Sequence, residues 1–139
     1  MGLFDFFKRK KAPRVESLKD LSPEEKWNRL SDLWANRRLS SPYYELMSYY
    51  KNVTDSGYYQ YFYRLSRDGG VNDVMELLVS ILPENAVCSL NDAYAAYRKY
   101  NAVDDDELRR ILEECDYIFL QSADEIKDML LKHADELTV

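Results

Sequence analysis

Apolar positions recur along this chain in steps of three and four, and Ser-Pro, Gly and acidic clusters divide them into blocks. Trp27, Leu30 and Trp34 share a face behind Ser22-Pro23-Glu24-Glu25, a capping box with Pro at the first helical position. That helix is predicted to end near Arg37-Arg38, bases suited to a helix C-terminus. Ser40-Ser41-Pro42 opens the next, Tyr43 to about Lys51, with Leu46, Met47 and Tyr50 clustered. Asp55-Ser56-Gly57 reads as a break, and a short aromatic helix, Tyr58 to Leu65, follows it. After the loop Arg67-Asp68-Gly69-Gly70, the spacing of Val74, Leu77, Leu78 and Ile81 predicts a helix from Val71 to Leu82, ended by Pro83. Glu84 to Asn101 continues as a helix with Val87, Leu90, Tyr94 and Tyr97 on one side. Asp104-Asp105-Asp106-Glu107 places four acids at a helix start, where the macrodipole favours them. Leu108, Ile111, Leu112, Cys115 and Phe119 form the inner stripe of that helix. Ser122-Ala123-Asp124-Glu125 reads as a second capping box, opening a last helix striped by Ile126, Met129, Leu130, His133 and Leu137.

No segment sustains strand alternation and no fixed-period repeat is present, so the expected fold is all-α: a compact single-domain bundle of six or seven short helices. The bundle is expected over residues 15–139, with residues 1–14 as a mobile basic and aromatic tail. A chain of 139 residues, 46% hydrophobic and 32% charged, is large enough for one core and too apolar for general disorder. No apolar run approaches the roughly 20 residues of a membrane-spanning helix. Cys88 and Cys115 form no CxxC pair, and one His cannot complete a zinc site with them. They read as reduced core thiols, which with the lack of a secretory pattern suggests a cytoplasmic protein.

Charge is unevenly spread. Residues 1–14 carry five bases (Lys8, Arg9, Lys10, Lys11, Arg14) against Asp5, or +4, so a net charge of −6 leaves −10 on the remainder. Such a body repels phosphates and attracts basic proteins, so no direct nucleic-acid binding is expected. The start, Met1-Gly2-Leu3-Phe4-Asp5-Phe6-Phe7 before Lys8–Lys11, resembles a weak interfacial anchor. Phe6 stands where N-myristoylation wants Ser or Thr. Residues 104–139 hold 12 acids against Arg109, Arg110, Lys127 and Lys132, a balance of −8. Acids one helical turn apart lie about 6 Å from each other, close to the phosphate spacing of a DNA strand. Asp106/Arg110 and Arg110/Glu114 are spaced to pair along the helix and dilute that field.

The ingredients of catalysis are sparse. His133 sits on an apolar stripe as a core-edge residue, no Gly-x-Ser-x-Gly elbow is present, and Asp68-Gly69-Gly70 lacks phosphate-loop spacing. The acidic run at 104–107 lacks calcium-loop spacing. No catalytic residue, metal ligand or cofactor is therefore expected. Tyr43, Tyr44, Tyr49, Tyr50, Tyr58, Tyr59, Tyr61 and Tyr63 crowd 21 residues, too many for one buried helix face, so some are expected at the surface.

Residues 42–65 resemble a bacterial all-helical family, a domain of unknown function whose best-known member is a DNA mimic. The resemblance rests on the turn Asp55-Ser56-Gly57, the aromatic Tyr58 and the continuation Gln60-Tyr61-Phe62. The stretch Leu112-Glu113-Glu114-Cys115-Asp116-Tyr117 adds to it, and Ser56 departs from it by replacing the first Gly of the usual turn. It implies an α-helical single domain, and DNA mimicry only where the acids are suitably arranged. Read physically, Gly57, Tyr58, Gln60, Tyr61 and Phe62 are mainly a fold signature, Gly57 allowing a tight turn and Gln60 satisfying buried backbone groups.

The functional expectation is a protein–protein interaction module. Asp104, Asp105, Asp106, Glu107, Glu113, Glu114, Asp116, Asp124, Glu125 and Asp128 would face a basic partner, in the sharpest form as a DNA mimic acting on a DNA-binding regulator. The alternatives are an enzyme built on a pocket of tyrosines, such as Tyr59 and Tyr63, with a carboxylate, or a membrane-peripheral adaptor docked through residues 1–11.

Overall fold

The structure is a computed structural model and describes residues 17–137. The tail at 1–14, with its anchor alternative at 1–11, lies outside the described residues. Five helices follow a single 3-10 turn at Leu18–Asp20: α1 (Pro23–Ala35), α2 (Tyr43–Asp68), α3 (Val71–Ile81), α4 (Glu84–Ala102) and α5 (Asp106–Ala134). The described residues are helical with no strand, as the periodicity predicts.

Local signals set most of these boundaries. Ser22 Oγ accepts the Glu25 N–H at 3.2 Å to start α1. At the other end Arg37 takes φ 56°, and the Arg38 N–H reaches back to the Leu33 carbonyl at 2.7 Å, a Schellman closure where the two arginines predict a stop. Gly70, at φ 84°, precedes α3, and Asp105 caps α5 by accepting the Glu107 N–H at 2.8 Å.

The helix count is lower than expected because the second capping box lies inside one helix, and because the two segments that meet at Gly57 run on as the single span α2. The second capping box does not start a helix: Ser122 is buried inside α5, where its hydroxyl accepts the Asn85 Nδ2–H at 3.4 Å. Small Ser122 and Ala123 fill the gap between Phe119 and Ile126, so two predicted stripes are one stripe along a single helix. The break predicted at Asp55-Ser56-Gly57 is present as a kink at Gly57 (φ 85°, ψ 172°), where two helical segments meet within α2.

α5 runs against both α4 and α2, which makes it the spine of the bundle. Tyr49, Tyr58, Tyr61, Phe62 and Phe119 fill the centre with rings in edge and tilted contact. The Tyr49 and Tyr58 hydroxyls bond to each other, the Tyr58 hydroxyl lies 3.2 Å from Ser89 Oγ, and Ser89 donates to the Cys115 carbonyl at 3.3 Å. Because the carbonyl can only accept, the donors run in one direction, from Tyr49 through Tyr58 and Ser89 to α5. Burial pushes Tyr58 up to about 12 and Tyr49 well above the usual tyrosine value, so both stay neutral donors. The two ends of the described chain meet: the Leu18 N–H donates to the Leu137 carbonyl at 3.2 Å, and Lys26 on α1 pairs with Asp135 at 2.7 Å.

Candidate interaction surface and an adjoining cleft

The signature residues are structural. Tyr58, Tyr61 and Phe62 are buried in the core. Gln60 is exposed, so it does not serve the buried backbone as expected; two residues, about half a helical turn, carry it to the side opposite Tyr58 and Phe62. Of the eight crowded tyrosines, Tyr49, Tyr58 and Tyr61 are buried, Tyr43, Tyr44, Tyr50 and Tyr59 are half-buried, and Tyr63 is exposed. Most of them seal the rim and interior of the core.

The acidic residues separate into three groups. Near the start of α5, arginines neutralise them: Arg109 pairs with Asp106, and Arg110 reaches Glu107 at 2.5 Å and Glu114 at 3.1 Å. Asp106 thus takes Arg109 rather than the expected Arg110. Asp105 is spent on its cap. Asp116 is drawn inward, half-buried, and accepts the Tyr58 N–H on Oδ1 at 2.8 Å. Burial, and secondarily Glu113, hold its carboxyl above the usual aspartate value, against the lowering effect of that hydrogen bond. Asp104, Glu113, Asp124, Glu125 and Asp128 are exposed and make no ion pair among the described residues. Lys127 makes no ion pair with the last three; its ammonium lies 4.9 Å from the Trp27 ring centre on α1.

Sequence reasoning passes over the apolar residues of the same face. Tyr117 and Leu120 are 66% and 58% exposed. Helical neighbours at three and four residues run Glu113/Glu114, Tyr117, Leu120, Asp124, Asp128, so an apolar centre is flanked by acids along the outward side of α5. The readable signal was Tyr117-Ile118-Phe119-Leu120, four large apolar residues of which a helix can bury no more than about half.

On the flank of α5 lies a cleft of about 300 Å³ lined by Tyr59, Tyr100, Arg109, Leu112, Glu113 and Asp116. Tyr59 and Tyr100 meet edge to face with centres 5.7 Å apart, and the Tyr59 hydroxyl donates to Asn101 Oδ1 at 3.3 Å. Tyr63 stacks with Tyr59, its ring centre 6.5 Å away, but is not part of the lining.

His133 is buried at the core edge with its ring stacked 3.4 Å from that of Tyr43. Neither ring nitrogen has a hydrogen-bond partner, and Nδ1 lies 3.7 Å from Glu136 Oε2. Burial lowers its pKa, and Glu136 opposes that less strongly. No three His, Cys, Asp or Glu among the described residues cluster closely enough to hold a metal ion, and no described helix is long and apolar enough to cross a membrane. Compared with family models, curated proteins and solved structures, the chain finds no match, and its function is read from these residues themselves.

Proposed function

We propose that the protein is a cytoplasmic protein–protein interaction module whose outward α5 face docks on a basic partner. The observation that carries this is the stripe from Glu113 to Asp128, where unpaired carboxylates border exposed Tyr117 and Leu120. An apolar centre inside a charged rim is the usual anatomy of a protein interface, and the charge supplies steering. DNA mimicry toward a DNA-binding regulator is the narrowest form of this reading. The turn spacing of Asp124 and Asp128 suits it, while Tyr117 and Leu120, which interrupt the carboxylate row, favour a docking face over strict imitation of phosphates.

The enzyme alternative would use the cleft beside Tyr59, where Asp116 has a raised pKa. Binding is the better reading because Asp116 Oδ1 already holds a backbone N–H. The test is capture by the full chain and by Asp124→Lys/Glu125→Lys/Asp128→Lys at two salt concentrations. Basic proteins should be retained at low salt, released at high salt and lost from the variant, with DNA competing if mimicry holds. Captured proteins that are not basic, or capture indifferent to salt, overturn the reading.

A further inference from the structure

The cleft between Tyr59, Tyr100 and α5 has the makings of a socket for one side chain. Its volume of about 300 Å³ stands at the lower end of small-molecule pockets, suiting a single long side chain better than a cofactor. Two tyrosine rings at 79° to each other give it a wall of aromatic surface. Glu113 and Asp116 line it with carboxylates, and neither makes an ion pair among the described residues. A guanidinium already lines the same cleft, but Arg109 is committed to Asp106 and leaves those carboxylates unmatched.

We propose that this cleft receives an arginine side chain of the partner, its guanidinium against Tyr59 and Tyr100 and paired with Glu113. The inference rests on the reading that the partner is basic, and adds the residue that anchors it. Arginine fits better than lysine because a planar, weakly hydrated guanidinium can lie on a ring while giving two parallel donors to a carboxylate. A cation in such a site gains from ring and carboxylate together, whereas an anion would face Glu113 and Asp116. Arg109, close by and of the same sign, opposes entry, so its removal should help.

The test is calorimetric titration of the full chain, at low salt, with a nine-residue peptide of alternating arginine and glycine and with its lysine counterpart. Glu113→Gln and Glu76→Gln each remove one exposed charge, but Glu76 lies on α3, outside both the cleft and the α5 face. The expected result is that Glu113→Gln weakens the arginine peptide about fivefold to tenfold, while Glu76→Gln changes it less than about twofold. Tyr100→Leu should weaken it as well, Arg109→Ala should tighten it, and the lysine peptide should bind less well. Unchanged melting temperatures of the two glutamine variants keep the comparison about binding. Equal losses from Glu113→Gln and Glu76→Gln, or equal affinities for the two peptides, overturn the socket, and the docking face is then judged by capture alone. Failure of the arginine peptide to bind the unaltered chain overturns both.

Discussion

Asp116 caps a helix segment that starts 58 residues earlier in the chain, its Oδ1 accepting the Tyr58 N–H at 2.8 Å. The kink at Gly57 strips Tyr58 of its partner in the preceding turn, as at any helix N-terminus, and α5 supplies an acceptor from outside. Asp116→Ala should therefore destabilise by about 1–3 kcal/mol, the cost of an unsatisfied buried donor. Asp116→Asn keeps an acceptor oxygen and should cost much less. The raised pKa means the folded state binds this proton more readily than the unfolded state, so the contribution of Asp116 falls as pH rises through the range just above 3.8. That slope should vanish in Asp116→Asn, as read from urea unfolding.

Gly57 belongs to the same arrangement. Its φ of 85° and ψ of 172° lie in a region that essentially glycine alone adopts, and an added Cβ would stand 2.8 Å from Asp116 Oδ2. Gly57→Ala should lose about 1–3 kcal/mol from the backbone alone, with the clash on top. In an Asp116→Ala background the clash is gone, and the capping bond it would disturb is gone too. The double variant should therefore be more stable than the sum of the single effects predicts, a non-additivity that a thermodynamic cycle from chemical denaturation would measure. Strict additivity would mean that the two residues do not act together.

Helices with conventional ends were legible in the sequence. Ser22-Pro23 marked α1, and the stripe from Val74 to Ile81 placed α3 to within a residue. The span of α5 was not legible, because Ser122-Ala123-Asp124-Glu125 has the composition of a capping box. Whether Ser122 caps a helix or lies within one depends on its burial beside α4, which no local pattern records. The acidic face was half legible for a similar reason. Spacing put Arg110 in reach of Glu114, but it did not show Asp116 turning toward Tyr58. Its place next to Cys115 and one turn after Leu112, both on the buried stripe, was the available clue.

The two cysteines should differ sharply in reactivity. Cys88 is exposed, whereas Cys115 is buried, with its thiol pushed up to about 11 by burial first and by Asp92, Asp116 and Glu114 after that. At pH 8 a thiol reagent should label one cysteine per native chain quickly and the second only as the protein opens. Cys88→Ser should abolish the fast phase and leave the slow one, with both phases followed by mass spectrometry. Fast labelling of the Cys88→Ser protein would show that α5 does not keep Cys115 shielded.

The chain has one histidine, and its burial makes stability depend on pH. His133 stacks on Tyr43 and has no hydrogen-bond partner for either nitrogen, so protonation would place a charge in a site that supports it only through Glu136, 3.7 Å from Nδ1. Its folded pKa lies below the ordinary 6.5. Between those two values the unfolded chain binds more protons than the folded one, so the contribution of His133 to stability is complete above about 6.5 and is lost as pH falls through the folded value. Urea midpoints should drop from pH 7.5 to 5.5. His133→Phe, which keeps a ring against Tyr43 and cannot be protonated, should flatten that drop. Glu136→Gln removes the one opposing influence and should steepen it, and an undiminished drop in His133→Phe would assign the pH dependence to other groups.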